Sequence, residues 1–243
     1  SSRKAHCFAV IANEDYASYL DTPILAYGFE HVIESPIPEF LDFLNCYRHQ
    51  LQYIKSKGFN EKIRNTTPDA DRLYKYFNKI VESGCSVLSM ETSSEAFYRE
   101  RLQNIKFKVG IITNITEDHL NIHKTIENYV ACKKELLKQV STDGYSILNT
   151  EDKYFEECKN IANGTILTYG KKNATLQITE IEELDNNTKF KVIYNQTEYE
   201  INSPLLGEFN VYNLCAAILS LIALGYKMEE IIPNIKNINI PNG

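Results

Sequence analysis

The sequence predicts an α/β fold, with a small amino-terminal α/β unit followed by a domain built on a mainly parallel sheet, flanking helices and a small antiparallel patch. Three observations carry that expectation. The run VGIIT at residues 109–113 is long enough for a buried strand and too short for an independent helix, and a polar turn follows it at once. The run SVLSME ends abruptly in Glu91, a carboxylate where a buried strand gives out. Between Ala174 and Ile201 the segments LQITEI, KFKVIY and TEYEIN alternate apolar and polar residues, the period of antiparallel strands separated by polar turns.

In chain order, CFAVIA reads as a strand, DYASYLDTPILAYG as a helix ending at Gly28, and HVIES as a second strand, with PEFLDFLNCY as a helix leading out of that first unit. Asn65-Thr66-Thr67-Pro68-Asp69 opens another helix, with Asp69 near its amino end and Leu73, Phe77, Ile80 and Val81 on one face. Past the polar turn, Thr125 fits an N-cap, with Asn128 where a capping-box Glu usually stands. Tyr129, Cys132, Leu136 and Leu137 then give a helix reaching Val140 its apolar stripe. The helix from Val211 to Leu224 is almost wholly apolar and capped by Gly225, so packing explains most of it. Asn210 and Asn213 are its informative residues.

Composition bounds the function. The 243 residues suit one large domain or two small ones. With 26 basic and 32 acidic residues the net charge is -6, which argues against general nucleic-acid binding, since that needs a basic surface to displace counterions. Cys7, Cys46, Cys85, Cys132, Cys158 and Cys215 show neither CxxC nor metal-type spacing, as expected of a reduced, cytoplasmic protein. No apolar run approaches a membrane span and no signal segment opens the chain, so no membrane partner is expected.

The chemistry concentrates after VGIIT. Asn114, Thr116, Glu117, Asp118 and His119 crowd a strand-to-helix turn, and in open α/β sheets ligands bind beyond the carboxyl ends of the strands. Glu117, Asp118 and His119 offer hard oxygens and an imidazole, a mixture that suits Mg²⁺ or Mn²⁺ beside a nucleotide phosphate. Taken alone, the same cluster also reads as solvated turn acids and a helix-start histidine. Likewise Lys133 and Lys134 alone read as solvated helix lysines, and Thr66 to Pro68 as a proline-containing N-cap.

The stretch TNITEDHLNIHKTIENYVACKKEL, residues 113–136, resembles the central signature of the Mur ligases, approximately TN(L/I)T-DHLD-H-T-ENY-AAK, and is nearest the MurE branch. METSSEAF resembles that branch's MEVSSHAL, with Glu95 in place of the histidine. GYSILNTED resembles G-x-x-VLN-DD, TILTYG resembles a VITYG strand, and PLLGEFNVYN resembles PLLGKFNVYN. The resemblance implies a uridine-nucleotide-binding domain over residues 1–50 and a central ATP-binding domain over 51–243, with the carboxyl-terminal amino-acid-binding domain absent. It implies Mg²⁺ held by Glu91 and His119, and a carbamate formed from CO₂ on Lys133, these three being the catalytic set. It implies substrate binding by Ser2, Thr66, Thr67, Ser93, Ser94 and Arg101, and ATP binding by Asn114, Asn210 and Asn213. The expected partners are UDP-MurNAc-L-Ala-D-Glu and a diamino acid, the expected enzyme a monomer. A folylpolyglutamate-type or other Mur-type ligase is a related alternative, against which TTPD and SS-x-AF argue.

One departure from the family is large. The family carries a GTNGKT-like loop before TTPD, whose backbone amides and lysine cradle the ATP phosphates, and RHQLQYIKSKGFNEKIRNTTPD has none. In this stretch LQYIKSKGF resembles the end of the helix that normally follows that loop. Either the sequence joins segments across missing loops near Gln50 and Leu51, with smaller gaps near Lys4, Ala12 and Glu61, or the loop is deleted and the chain is a non-catalytic Mur-like binding module. Comparing the intact mass of the polypeptide with 27.9 kDa separates the two.

Overall fold

Apolar, β-branched runs pair edge to edge in a single large sheet. The computed structural model describes residues 7–12, 53–56, 59–62, 67–82, 87–116 and 120–238. Its strands are β1 Cys7–Ala12, β2 Tyr53–Ser56, β3 Phe59–Lys62, β4 Val87–Glu91 and β5 Phe107–Ile112, then β6 Val140–Asn149, β7 Thr165–Gly170, β8 Leu176–Glu183, β9 Thr188–Tyr194 and β10 Thr197–Ser203. The helices among the described residues are α1 Ala70–Glu82, α2 Ser94–Tyr98, α3 Leu120–His123, α4 Ile126–Lys138, α5 Phe155–Ile161, α6 Glu208–Ala223 and α7 Met228–Ile235.

Eight strands form the sheet in the order β10-β9-β8-β7-β6-β5-β1-β4, and β2 and β3 pair apart from it. Strands β5 to β8 are parallel, with α4 between β5 and β6 and α5 between β6 and β7, while β7 runs into β8 through residues 171–175. Strands β8, β9 and β10 form the antiparallel patch that the alternation predicts. β1 lies antiparallel to both β4 and β5, which makes those two strands point the same way. CFAVIA is thus a strand as read, and it lies in the main sheet between β4 and β5. The DYASYL helix, the HVIES strand and the PEFLDFLNCY helix lie outside the described residues. LQYIKSKGF is not the end of a helix: Tyr53–Ser56 and Phe59–Lys62 pair as a hairpin, with Ser56 opposite Phe59.

Successive residues of a strand face opposite sides of a sheet, and here they enter two cores. Val109 and Ile111 of β5 and Ile147 of β6 pack with α6 and α7, whereas Ile112 and Leu148 pack with residues of α1, α2 and α4. Glycine at position 110 leaves room for the first residue of β6: a Cβ there would meet Val140 Cγ2 at 2.7 Å, whereas Leu136 Cγ of α4 would lie at an ordinary 3.4 Å. α4 starts as read, with the Thr125 side chain accepting from Asn128 N at 3.3 Å, but ends at Lys138, and Val140 opens β6. α6 stops at Gly225, whose φ of 95° is the left-handed conformation glycine adopts without penalty, and Tyr226 N then donates to Leu221 O at 3.0 Å.

Candidate functional site

Glu91, Ser93, Ser94 and Asn114, singled out by sequence, lie at or just past the carboxyl ends of β4 and β5. Glu91 is the last residue of β4. The buried Thr67 ties the segment before α1 to that strand end: its Oγ1 donates to Glu91 O at 3.0 Å and accepts from Ser93 N at 3.1 Å. Ser93 in turn N-caps α2, its Oγ accepting from Ala96 N at 3.2 Å. Arg101 closes the cluster, donating from Nη1 to Thr67 O at 3.2 Å and pairing through Nε with Asp69 at 2.9 Å. Its side chain is only 11% exposed, so it is not an ordinary loop residue. Glu95, which stands where the family has a histidine, lies 3.9 Å from Arg101 and pairs more closely with Arg99 at 2.7 Å. Thr67, Glu91, Ser93 and Arg101 are therefore one bonded unit.

Ser94 faces inward. It is 3% exposed, and its Oγ lies 2.9 Å from Nε2 of the buried His123. The His123 ring packs edge-on against Tyr129, and Lys133 Nζ stands 5.2 Å from the centroid of that same Tyr129 ring. Lys133 is 3% exposed and so is not a solvated helix lysine, whereas Lys134 pairs with the exposed Glu157 at 2.9 Å. Burying a lysine costs free energy unless its charge is met, so its environment reads as purposeful.

The turn after β5 is fastened from its neighbours. Thr113 O accepts from Asn149 Nδ2 at 3.2 Å and from Tyr169 OH at 3.4 Å, and Asp152 accepts from Ile115 N at 2.6 Å and Tyr154 N at 2.8 Å. Burial holds the Asp152 carboxyl above its ordinary pKa, against the opposing pull of those two amides and of the Lys153 and Lys133 charges. Between these anchors Asn114 Oδ1 is buried with no hydrogen-bond partner among the described residues.

Asn210 and Asn213 stand apart from the Glu91 cluster, on α6. Asn210 Nδ2 donates to Leu206 O at 2.8 Å, and Asn213 is buried. Near them Glu151, beyond β6, accepts from Lys171 N at 2.8 Å and from Tyr212 OH at 2.5 Å, and Lys171 pairs with Glu208 at 2.6 Å. Burial and Glu151 together push the Tyr212 hydroxyl well above its ordinary pKa. Asn149, Glu151 and Asp152 are not among the residues that the sequence singles out; their signal is the abrupt change from apolar ILN to TED at a strand end.

Ser2, Thr66, Glu117, Asp118 and His119 lie outside the described residues. Among the described residues no group of three or more His, Cys, Asp or Glu side chains gathers to hold a metal. Of the two residues expected to hold a metal, Glu91 ends β4 and His119 lies outside the described residues; a carboxylate is a donor type that a hard divalent cation takes.

An open, mainly parallel α/β sheet with polar residues at its strand ends is an architecture that binds ligands beyond those ends. The chain belongs to the Mur ligase family: a profile of the Mur ligase middle domain matches residues 42–221. It is 34% identical over 184 residues to the UDP-N-acetylmuramoyl-L-alanyl-D-glutamate–2,6-diaminopimelate ligase of Bacillus cereus, a match covering 73% of this chain and 38% of that protein. It is 28% identical over 218 residues to a Staphylococcus aureus UDP-N-acetylmuramoyl-L-alanyl-D-glutamate–L-lysine ligase, covering 88% and 43%. The chain thus spans about two fifths of the length of these curated relatives. A solved UDP-N-acetylmuramoyl-L-alanyl-D-glutamate–2,6-diaminopimelate ligase shares the fold over 95% of this chain and 50% of its own, with a TM-score of 0.71 at 23% identity. MurF from Acinetobacter baumannii matches 56% of this chain and 30% of its own, with a TM-score of 0.52 at 26% identity.

Proposed function

We propose that this chain is the ATP-binding part of a MurE-like ligase of cytoplasmic peptidoglycan precursor synthesis, which adds a diamino acid as the third residue of UDP-MurNAc-L-Ala-D-Glu. The observation that carries the reading is Lys133: a lysine held 3% exposed in the helix that follows the polar turn, at the position of the family's modified lysine. Its amine, condensing with CO₂ and losing a proton, becomes an anion at that place. Thr67, Ser93 and Arg101 bind and orient the sugar–dipeptide, while Asn114, Asn210 and Asn213 hold ATP. An oxygen of the D-Glu carboxylate attacks the γ-phosphorus and ADP leaves. The amine nitrogen of the diamino acid then attacks the acyl carbon, phosphate departs, and the nitrogen gives up its proton. Glu91 and His119 would hold Mg²⁺, which supplies neutralisation of charge on the transferring phosphoryl group.

A second reading, a non-catalytic module that binds the nucleotide sugar, is favoured by one observation: the sequence has no GTNGKT-like loop ahead of TTPD. Isothermal titration of the complete polypeptide separates the two. Saturable, Mg²⁺-dependent binding of a non-hydrolysable ATP analogue is the result expected of the ligase. Binding of UDP-MurNAc-L-Ala-D-Glu without any binding of the ATP analogue would sink the ligase reading in favour of the module.

A further inference from the structure

His123 ends α3 and is 1% exposed, and none of the roles proposed above uses it. Two residues of α2, one turn apart, grip it: Ser94 Oγ at 2.9 Å from Nε2, and the Tyr98 ring edge-on at 5.5 Å between centroids and 79° between planes. From α4, Tyr129 meets the imidazole edge-on at 5.3 Å and 61°, and Asn128 Nδ2 donates to His123 O at 3.1 Å. Such aromatic pairs have preferred geometries, so moving one ring moves the next. The face of Tyr129 is in turn the partner of the Lys133 ammonium, at 5.2 Å, one helical turn further on. Lys124, immediately after His123, has φ 67°, a conformation uncommon for a residue with a Cβ, so the backbone also fixes where α3 breaks and which way the imidazole aims.

Ser94, His123, Tyr129 and Lys133 therefore form one continuous path between the helix behind Glu91 and the helix bearing the buried amine. We infer that His123 is a positioning residue: its bond to Ser94 and its packing on Tyr129 set where the Lys133 amine stands relative to α2. The kinetic consequence rests on the ligase reading; the geometric one does not.

Three variants of the complete polypeptide test this. His123→Phe keeps a ring against Tyr129 and loses the bond to Ser94, His123→Gln places an amide near the Nε2 position, and Ser94→Ala removes the partner. In lysine-labelled protein, the Lys133 methylene resonances should carry a ring-current shift from Tyr129, since Nζ stands 5.2 Å from its centroid. That shift should move toward exposed-lysine values in His123→Phe and Ser94→Ala and be retained in His123→Gln. In the ligation assay kcat should fall about tenfold or more in His123→Phe, since small misplacements are costly at a reacting centre, with KM for ATP within about twofold. His123→Gln should recover most of that rate. The double variant Ser94→Ala/His123→Phe should be no slower than the slower single one, because both cut the same link. Lys133 resonances unchanged in all three variants overturn the inference whatever the activity. Equal losses in the Phe and Gln variants, accompanied by equal falls in thermal midpoint, also overturn it, leaving His123 a packing residue only. A wild-type protein that neither binds ATP nor ligates, while its Lys133 resonances move as expected, removes the ligase reading and keeps the positioning role.

Discussion

The two cores on either side of the sheet are built on different terms. Against α6 and α7 the buried residues are Val211, Leu214, Ile218, Leu221, Ile231 and Ile235 with their strand partners, and the Ser220 hydroxyl is spent within its own helix on Ala216 O at 2.8 Å. Against α1, α2 and α4 the apolar set of Leu73, Phe77, Phe97 and Leu136 shares its space with buried Thr67, Ser94, His123 and Lys133. Apolar burial stabilises without regard to direction, whereas each buried polar group needs a partner at a fixed distance. The first core is chiefly apolar, with Asn213 of α6 buried beside it, whereas the second encloses a buried histidine and a buried lysine.

Substitutions that break one core and spare the other sharpen this contrast. The largest loss of stability is expected on the apolar side: Ile218→Ala, at a fully buried site, should cost about 2–5 kcal/mol in denaturant unfolding, with nucleotide affinity per folded molecule unchanged. On the polar side Asp152→Ala leaves the Ile115 and Tyr154 amides without their acceptor and should cost about 1–3 kcal/mol. Its larger signature should be weakened ATP-analogue binding by calorimetry, because it loosens the turn that carries Asn114; binding equal to the wild type would detach that turn from the nucleotide. The smallest effect is expected at the N-cap of α4, where Thr125→Ala should lower stability by about 1 kcal/mol or less and leave affinity alone, the capping bond being exposed and replaceable by water.

Much of this was legible from local pattern. β5, its polar turn and α4 with the Thr125 cap follow from a β-branched run, a cluster of turn formers and a helical stripe, all of them short-range signals. The three alternating segments yield β8 to β10 for the same reason. Lys133 shows what was harder. Its burial was already encoded, since it lies four residues from both Tyr129 and Leu137 and so on the apolar stripe, but a lysine there reads as solvated until the neighbouring helix is in place. The bonds from Asn149, Asp152 and Tyr169 to the turn after β5 join residues 36, 37 and 56 positions apart, and nothing local announces them. The entry of β1 between β4 and β5 is likewise a matter of tertiary pairing, and so is the Tyr53–Lys62 hairpin, where the sequence resembles the end of a helix.

Gly110 spares the sheet a collision within itself. A methyl group at that point of β5 would stand 2.7 Å from Val140 Cγ2, at the start of the neighbouring strand, and at an ordinary 3.4 Å from Leu136 Cγ of α4. Val140 follows two residues after α4 ends at Lys138. The atom that the sequence leaves out of β5 therefore gives a β-branched residue room to turn the chain from helix back into sheet.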